Sequence, residues 1–543
     1  MVFARRSTTL LAAIIASCAM VLSLTACTSD NKTVVDGQTT VTSNSAGGVA
    51  VFTPSDGITL NQQTPLNKWA KLVPDLAKAL ADAGFKKGDI DHTTSDSLAK
   101  QSRAIQDFVV DHLSNNTTDD SGIAIAPDNM TLLVAPVVEA DASTRQYGDY
   151  INQNLSTNDA TDGEATSDGE SSEDDSSKDD SSNTESDSTA SDEQAQAVDR
   201  LVSSLKLAKE SGMHVVLLGN SIEGYKPDAF VKFSDAQTIG KLQAEKMVSK
   251  LKLDKASKDN PKYIEVLLPY TAVDEKGNAN DSTFAQEAFR GIWQVLGSYY
   301  QKGVVESPSG TLDGKSTEND WQAVAYDAAK EGSTAKVLDK RLAKTDGQST
   351  LTRIDGIITM NDYIASEVVK ELDDLGYTGS AADINPQITI SGIVGNITGK
   401  KDLSRDAVPD PIKSPENDNA NDSSSSDDDA DEDTSASDKD RDSQWPLVTG
   451  YGAYVSNIPS IVNGKQWMTG MEDRQTIATD IAQACAKLNK DEALNSMPSI
   501  RNSEVGGVKK IPTISEPLLA VSASNLKSAL IDPGYISLAD AGL

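Results

Sequence analysis

Short apolar runs alternate with stretches of helical spacing through most of the chain, which reads as a regular succession of strands and helices. Residues 48–52 read as a strand, followed by a helix over about 68–83 whose Leu72, Leu76 and Leu80 recur at the i, i+4 spacing of one helical face, with Phe85 beyond. A helix through 99–113, a strand at 122–127, a helix ending near Gly212 and a strand at 213–218 complete a first round. The second round has a strand at 263–268, a helix around 284–299, a strand at 354–359 and a helix through 364–375. Two strand-like runs, 388–395 and 447–453, compete for one further sheet position. Strands separated by helices imply parallel sheets covered on both faces. Two rounds predict an α/β fold of two doubly wound parallel-sheet lobes, with ligand access at the carboxyl ends of the strands. Lobe one is expected to hold residues 48–220 and 473–513, lobe two 221–472 and 514–543. The chain then crosses three times and forms a hinge.

Charge modifies this picture at two places. The net charge is -33, and it is unevenly distributed. Residues 156–193 carry 14 acids against one lysine, and residues 414–443 carry 12 acids against Lys439 and Arg441. Removing net -13 and net -10 from -33 leaves a body of only -10. Both tracts are rich in Ser and Asp and poor in apolar residues, so they cannot offset an ordering entropy of about 1–2 kcal/mol per residue. They are expected to be disordered acidic insertions, one in each lobe. Like charge opposes phosphate contact, so nucleic acid is not an expected partner.

The N-terminus opens with Arg5-Arg6, continues through an apolar run over 10–24, and ends in Leu24-Thr25-Ala26-Cys27. This order resembles a bacterial lipoprotein signal peptide, 1–26, with its lipobox. The run is too short for a transmembrane span of roughly 20 apolar residues. The resemblance implies lipid on Cys27, a membrane-attached extracytoplasmic protein, and a flexible Ser/Thr/Gly-rich tether over 27–47. With Cys27 acylated, Cys485 has no disulfide partner. It falls in the helical pattern 476–485 and reads as a small buried core residue.

A second resemblance rests on the order of many short motifs. Lys68-Trp69, Ile125-Ala126-Pro127, the run 209–216, Gly240-Lys241-Leu242-Gln243-Ala244-Glu245, Asn280, Asp320-Trp321, Asn361-Asp362, Gly450 and the run 462–469 follow one another in that order. The stretch 510–517, Val521-Ser522 and 532–535 close the series. In this order the chain resembles type I periplasmic sugar-binding proteins, with the xylose-binding branch nearest, over nearly all of the body outside the acidic insertions. The resemblance implies a small carbohydrate bound between the lobes and an ABC permease as membrane partner, with a monomeric binding protein between them.

A sugar offers hydroxyls and C–H ring faces, which call for aromatic surfaces and charged hydrogen-bonding groups. On that basis Trp69 and Trp321 are candidate stacking surfaces, and Lys68, Asp235, Asn280 and Asp362 candidate polar contacts. Each has a structural alternative. Trp69 also fits plain core, Trp321 lobe-surface packing, Asn280 a helix-entry turn, and Asn361-Asp362 a helix cap. Three positions depart from the family pattern. Gly219-Asn220 stands where Asp-Arg is usual, Asp235-Ala236 replaces Asp-Asn, and Gly450-Tyr451-Gly452-Ala453 replaces Gly-Gln-Asp-Ala. Losing an arginine fork and a carboxylate removes strong directional contacts, so pentose specificity does not carry over. Tyr451 becomes a candidate stacking surface in their place.

Catalysis finds little support in the sequence: its many carboxylates leave a glycosidase pair open, and the resemblance argues against one. His92, His112 and His214 lack metal-ligand spacing, and no Gly-x-Ser-x-Gly elbow, phosphate loop or His-Glu-x-x-His occurs. The expectation is a non-enzymatic protein without a cofactor. Two readings follow: the solute-binding lipoprotein of an ABC importer, or a surface sensor or interaction module that reuses the fold with a degenerate sugar site. For the anchor, Cys27→Ser should move the protein from the membrane fraction to the soluble fraction. Retention of that variant in salt-washed membranes argues against lipidation.

Overall fold

The computed structural model describes residues 33–35, 38–40, 46–56, 65–115, 125–138, 144–151, 153–156, 184–273, 279–343, 350–382 and 444–543. Cys27, the run 388–395 and the insertion 414–443 lie outside the described residues. Residues 1–44 and 45–543 are separate units. In the first, Thr33–Val35 pairs antiparallel with Gln38–Thr40 inside the stretch read as a tether. The intervening Asp36-Gly37 is a strong sequence signal for a two-residue hairpin turn, which the composition-based reading passed over.

The larger unit begins with β1 (Gly48–Pro54), α1 (Trp69–Asp82), β2 (Ile90–Ser95), α2 (Leu98–Asn115), β3 (Met130–Val134), α3 (Thr184–Glu210), β4 (His214–Leu218) and β5 (Ala229–Val231). Lobe two follows with α4 (Ala236–Leu251), β6 (Lys262–Val266), α5 (Thr283–Gln301), β7 (Val305–Glu306), α6 (Ser333–Arg341), β8 (Gly356–Ile358), α7 (Asp362–Leu375), β9 (Leu447–Tyr451), α8 (Ile458–Val462) and β10 (Met468–Met471). The chain then returns to lobe one through α9 (Arg474–Leu488), β11 (Ile500–Val505) and β12 (Val508–Ile514), and ends in lobe two with β13 (Leu519–Ser522).

Lobe one has the strand order β11-β12-β5-β4-β3-β1-β2, and lobe two β7-β6-β8-β9-β10-β13. Pairing is parallel except for the β11–β12 hairpin and the β10–β13 pair. The fold is therefore α/β, with two parallel-sheet lobes. Along β1, Val49 and Val51 enter a core shared with α1 and α9, while Ala50 and Phe52 enter a second core shared with α2 and α3. Burial on both faces explains why these strands read as continuous apolar runs rather than as alternation.

Several boundaries differ from the sequence reading. Lobe one extends past residue 220, because β5 pairs with β4, and the first crossing falls at 232–235. The strand expected at 122–127 is instead β3 at Met130–Val134, preceded by a 3-10 turn at Pro127–Asn129. Pro127 fixes a turn there, and the apolar run that follows it is the one that enters the sheet. Strand β2 was not read from the sequence. It is an edge strand whose central residues Asp91, His92, Thr93 and Thr94 are exposed, so it lacks an apolar signature. The acidic tract 156–193 ends in structure: Thr184 onward belongs to α3. Ala197, Val198, Leu201, Leu205 and Ala208 bury that helix against lobe one, and once nucleated it extends by one hydrogen bond per residue fixed. For the ambiguous sheet position, the strand paired with β8 is 447–451. Among the described residues no helix is long and apolar enough to cross a membrane.

Helices α4 and α5 approach at two glycines. A Cβ on Gly240 would lie 2.2 Å from the Ala288 carbonyl oxygen, and one on Gly291 2.0 Å from that of Gln237. Both clashes involve helix backbone, which cannot step aside as a flexible side chain would. Gly291→Ala is expected to lower unfolding free energy by about 1–3 kcal/mol through overpacking, measurable as a reduced urea midpoint.

Candidate functional site

Loops leaving the carboxyl ends of strands in both lobes meet one stretch of chain, residues 144–151, which connects β3 toward α3. From lobe one, Lys68 Nζ donates to Asp149 Oδ1 at 2.6 Å and the Trp69 backbone N–H donates to Asp149 Oδ2 at 3.1 Å. The Asp149 N–H donates to the Asn67 carbonyl at 2.8 Å, and Tyr150 OH donates to the Lys68 carbonyl at 2.6 Å. From lobe two, Asn361 Nδ2 donates to Gln146 Oε1 at 3.1 Å, and Tyr454 OH donates to the Gln146 carbonyl at 2.6 Å. The two tyrosines divide between the lobes. Tyr150 packs on Trp69 and Phe233 with ring centroids 5.1 and 4.6 Å away, and Tyr147 packs on Phe284 at 4.6 Å and Tyr451 at 6.2 Å. Both are fully buried, Tyr150 in the core of lobe one and Tyr147 in that of lobe two.

Gly148 makes this docking possible. Its φ is +97°, and a Cβ there would lie 2.5 Å from the Asn67 carbonyl oxygen. The residue therefore needs both the left-handed conformation and the missing side chain.

The candidate residues separate into groups. Lys68, Trp69 and Tyr451 surround residues 144–151. Trp69 is core, with a ring-on-edge contact to Phe233 as well as to Tyr150. Asp362 lies inside lobe two. It accepts from the Tyr454 N–H at 2.9 Å, Gln466 Nε2 at 2.7 Å and Thr469 Oγ1 at 2.9 Å, so both oxygens are taken by the chain between β9 and β10 and by β10 itself. Burial pushes its carboxyl up to about 6 against the pull of those donors. Its neighbour Asn361 caps α7 through Oδ1, which accepts from the Ile364 N–H, and reaches Gln146 with its amide nitrogen. Asn280 donates to the Thr271 carbonyl at 2.8 Å, and its own carbonyl accepts from Tyr270 OH. Trp321 packs edge-on against that tyrosine, 5.1 Å between centroids. These three form a loop cluster of lobe two, apart from residues 144–151. Asp235 caps α4, accepting from the Thr238 N–H at 2.8 Å, and pairs with Lys232 at 2.8 Å. Burial raises its pKa, but the bonds from Lys232 and Thr238 outweigh that and leave it below its ordinary value.

Asp235 also lines a cavity of about 580 Å³ beside residues 144–151. Gln153 and Asn154 form its lobe-one wall, Gln237, Asp281, Phe284 and Glu287 its lobe-two wall, and Thr144 and Ile151 of the segment itself line it as well. The volume is in the about 300–1,000 Å³ range of small-molecule sites. Asn220, standing where the family pattern has Asp-Arg, is buried and holds this wall: Nδ2 donates to the Pro136 carbonyl at 2.9 Å, and Oδ1 accepts from the Gln153 N–H at 3.0 Å.

Two of the three interlobe crossings are joined by Glu472, which the sequence reading did not single out. Its Oε1 accepts from the Ser234 N–H at 2.6 Å, from Ser234 Oγ, and from Tyr451 OH at 3.4 Å. Ser234 lies in the first crossing and Glu472 in the second. Burial pushes the Glu472 carboxyl up to about 7, opposed by the Ser234 and Tyr451 donors. Asp149 is likewise pushed up to about 6 by burial and by the neighbouring Asp56, against the pull of Lys68. Gln146, Tyr147, Asp149 and Tyr150 were also missed. The one signal in that segment is the i, i+3 spacing of two tyrosines around Gly148.

No protein-family model matches the chain, and neither does any curated protein sequence. Similar solved structures include an ABC transporter solute binding protein from Clostridium phytofermentans with bound β-D-glucose, at 17% identity over 91% of this chain and 99% of that one, TM-score 0.43. Another is a carbohydrate transporter solute binding protein from Chloroflexus aurantiacus in complex with D-glucose, at 18% identity over 92% and 98%, TM-score 0.42. A third is an arabinose binding protein from Geobacillus stearothermophilus, at 9% identity over 89% and 99%, TM-score 0.41.

The raised carboxyls set a pH dependence. Glu472 binds a proton up to about pH 7 in the fold, against an ordinary value of 4.5. The native state therefore holds more protons than the unfolded chain between these values, and stability falls as pH rises from about 4.5 to 7. Melting temperature should drop over that interval, and Glu472→Gln should reduce the drop. An unchanged pH profile in the variant would remove Glu472 from this role.

Proposed function

We propose that this chain is an exported, lipid-anchored binding protein that takes a small carbohydrate between its two lobes and presents it to an ABC permease. The observation that carries the reading is the cavity of about 580 Å³, whose walls come from both lobes. Its lining suits a polyol. The carboxylates of Asp235, Asp281 and Glu287 accept from hydroxyls, and the Gln153, Asn154 and Gln237 amides both donate and accept. Phe284 supplies a ring for C–H faces. The order of sugar-binding motifs along the sequence points the same way. In this role the protein acts by binding and closure, without a cofactor or bond-making chemistry, and works as a monomer. Contacts to a solute from both lobes favour the closed arrangement, because a ligand shifts a two-state equilibrium by its differential affinity.

A second reading, a surface sensor or interaction module, is favoured by the filling of the interlobe seam by residues 144–151. In that role the closed shape itself is what a partner recognises.

The test is a thermal-shift screen of the lipid-free chain against pentoses, hexoses and oligosaccharides. A solute at 100 times its dissociation constant should stabilise by about 2.7 kcal/mol. Asp235→Asn should weaken binding of the responding sugar about tenfold or more, since hydrogen bonds to charged groups contribute about 1.5–3 kcal/mol. Phe284→Ala should weaken it through the lost ring face. A chain that responds to no carbohydrate supports the interaction module.

A further inference from the structure

Residues 144–151 have the chemistry of a bound solute. They offer an amide oxygen, a carboxylate, a backbone carbonyl, a backbone N–H, a hydroxyl and two aromatic rings, and groups from both lobes receive them. Lys68 Nζ and the Trp69 N–H converge on the Asp149 carboxylate, which lies at the entrance of α1. Asn361 and Tyr454 converge on Gln146 from the other lobe. Tyr147 and Tyr150 complete the two cores on either side. These contacts tie the segment to both lobes at once. The closed arrangement of the lobes is thus held by the chain itself.

We infer that residues 144–151 are a tethered occupant of the interlobe seam, holding the lobes closed without solute and yielding their place, in whole or in part, when a carbohydrate binds. The inference deepens the proposed function and rests on it for the identity of the displacing ligand. The occupant is attached at the carboxyl side of β3, so it acts in cis on every molecule. The adjoining cavity is lined in part by Thr144 and Ile151 of the segment, so a solute that occupies it meets the occupant directly. A solute that enlarges the cavity must push on the segment that fills the seam. Entry and displacement are therefore mechanically linked.

Two release variants test this in the full lipid-free chain. Gly148→Ala introduces one methyl against the Asn67 carbonyl, and a quadruple variant carries Gln146→Ala, Tyr147→Ala, Asp149→Ala and Tyr150→Ala. Cooperative melting and circular dichroism establish that each is folded. Small-angle scattering should then show a larger radius of gyration than wild type, and the affinity for the responding sugar should rise at least tenfold. Folded variants with wild-type radius and affinity overturn the inference. Hydrogen exchange on the wild-type chain decides the case even if both variants misfold. The Tyr147 and Asp149 amides should be protected without solute and lose protection when D-glucose, D-xylose or another sugar giving a thermal shift is added. Retained protection with the sugar bound overturns the tethered occupant while leaving the carbohydrate reading intact. Release variants that open yet bind no carbohydrate support the occupant and overturn the carbohydrate reading.

Discussion

A parallel strand cannot be joined to its neighbour by a tight turn, and that constraint organises the whole molecule. Each parallel strand must pass the chain back across the sheet before the next can enter it, through a covering helix in most cases and through the loop 219–228 between β4 and β5, so its carboxyl end opens into a loop. In this protein the loops after β1, β4, β8 and β9 deliver Lys68 and Trp69, Asn220, Asn361 and Tyr454, and each of these touches the segment that continues from β3. The seam is a product of topology before it is a product of any side chain. What sequence then controls is what fills it.

The filling obeys a second requirement, that polar groups removed from water must be paired. Asp149 meets it with an ammonium and a backbone N–H, Glu472 with the serine of another crossing, and Asp362 with three donors from its own lobe. The neighbouring residues Asn361 and Asp362 illustrate how finely this is divided. One points its amide at the seam and the other is enclosed by the chain between β9 and β10 and by β10 itself, although they are adjacent in sequence. Changes at the first bear on what occupies the seam. Changes at the second bear on whether lobe two holds its shape.

Legibility followed the same division. The buried strands β1, β4 and β6 and the helices α1, α2, α3 and α5 could be read because double-sided burial writes itself as apolar runs, and helical faces as Leu72, Leu76 and Leu80, whereas α4 between β4 and β6 was not. Strand β2 could not, since its exposed middle carries Asp91, His92, Thr93 and Thr94. The N-terminal part of α3 was hidden because the apolar residues that pay for it lie downstream, at 197–208. The site was less visible than the fold. Trp69 and Tyr451 could be marked as candidate rings from the motif order and the chemistry of a sugar, but nothing local says that their neighbours are Tyr150 and Tyr147. Contacts between residues separated by dozens to hundreds of positions, such as Tyr454 with Gln146, are properties of the closed topology alone.

A segment docked into a seam and covalently attached to it competes with free molecules as though present at high concentration. For short flexible connections the effective value is on the order of millimolar, and a site available only part of the time lowers apparent affinity by that fraction. The loop that carries Gly148 would therefore set the working range of the protein. Small changes in its length or stiffness would retune the threshold at which an external solute registers, with no change to any residue that touches the solute. Sensitivity and selectivity would then be separately adjustable, one through a loop and the other through a cavity wall.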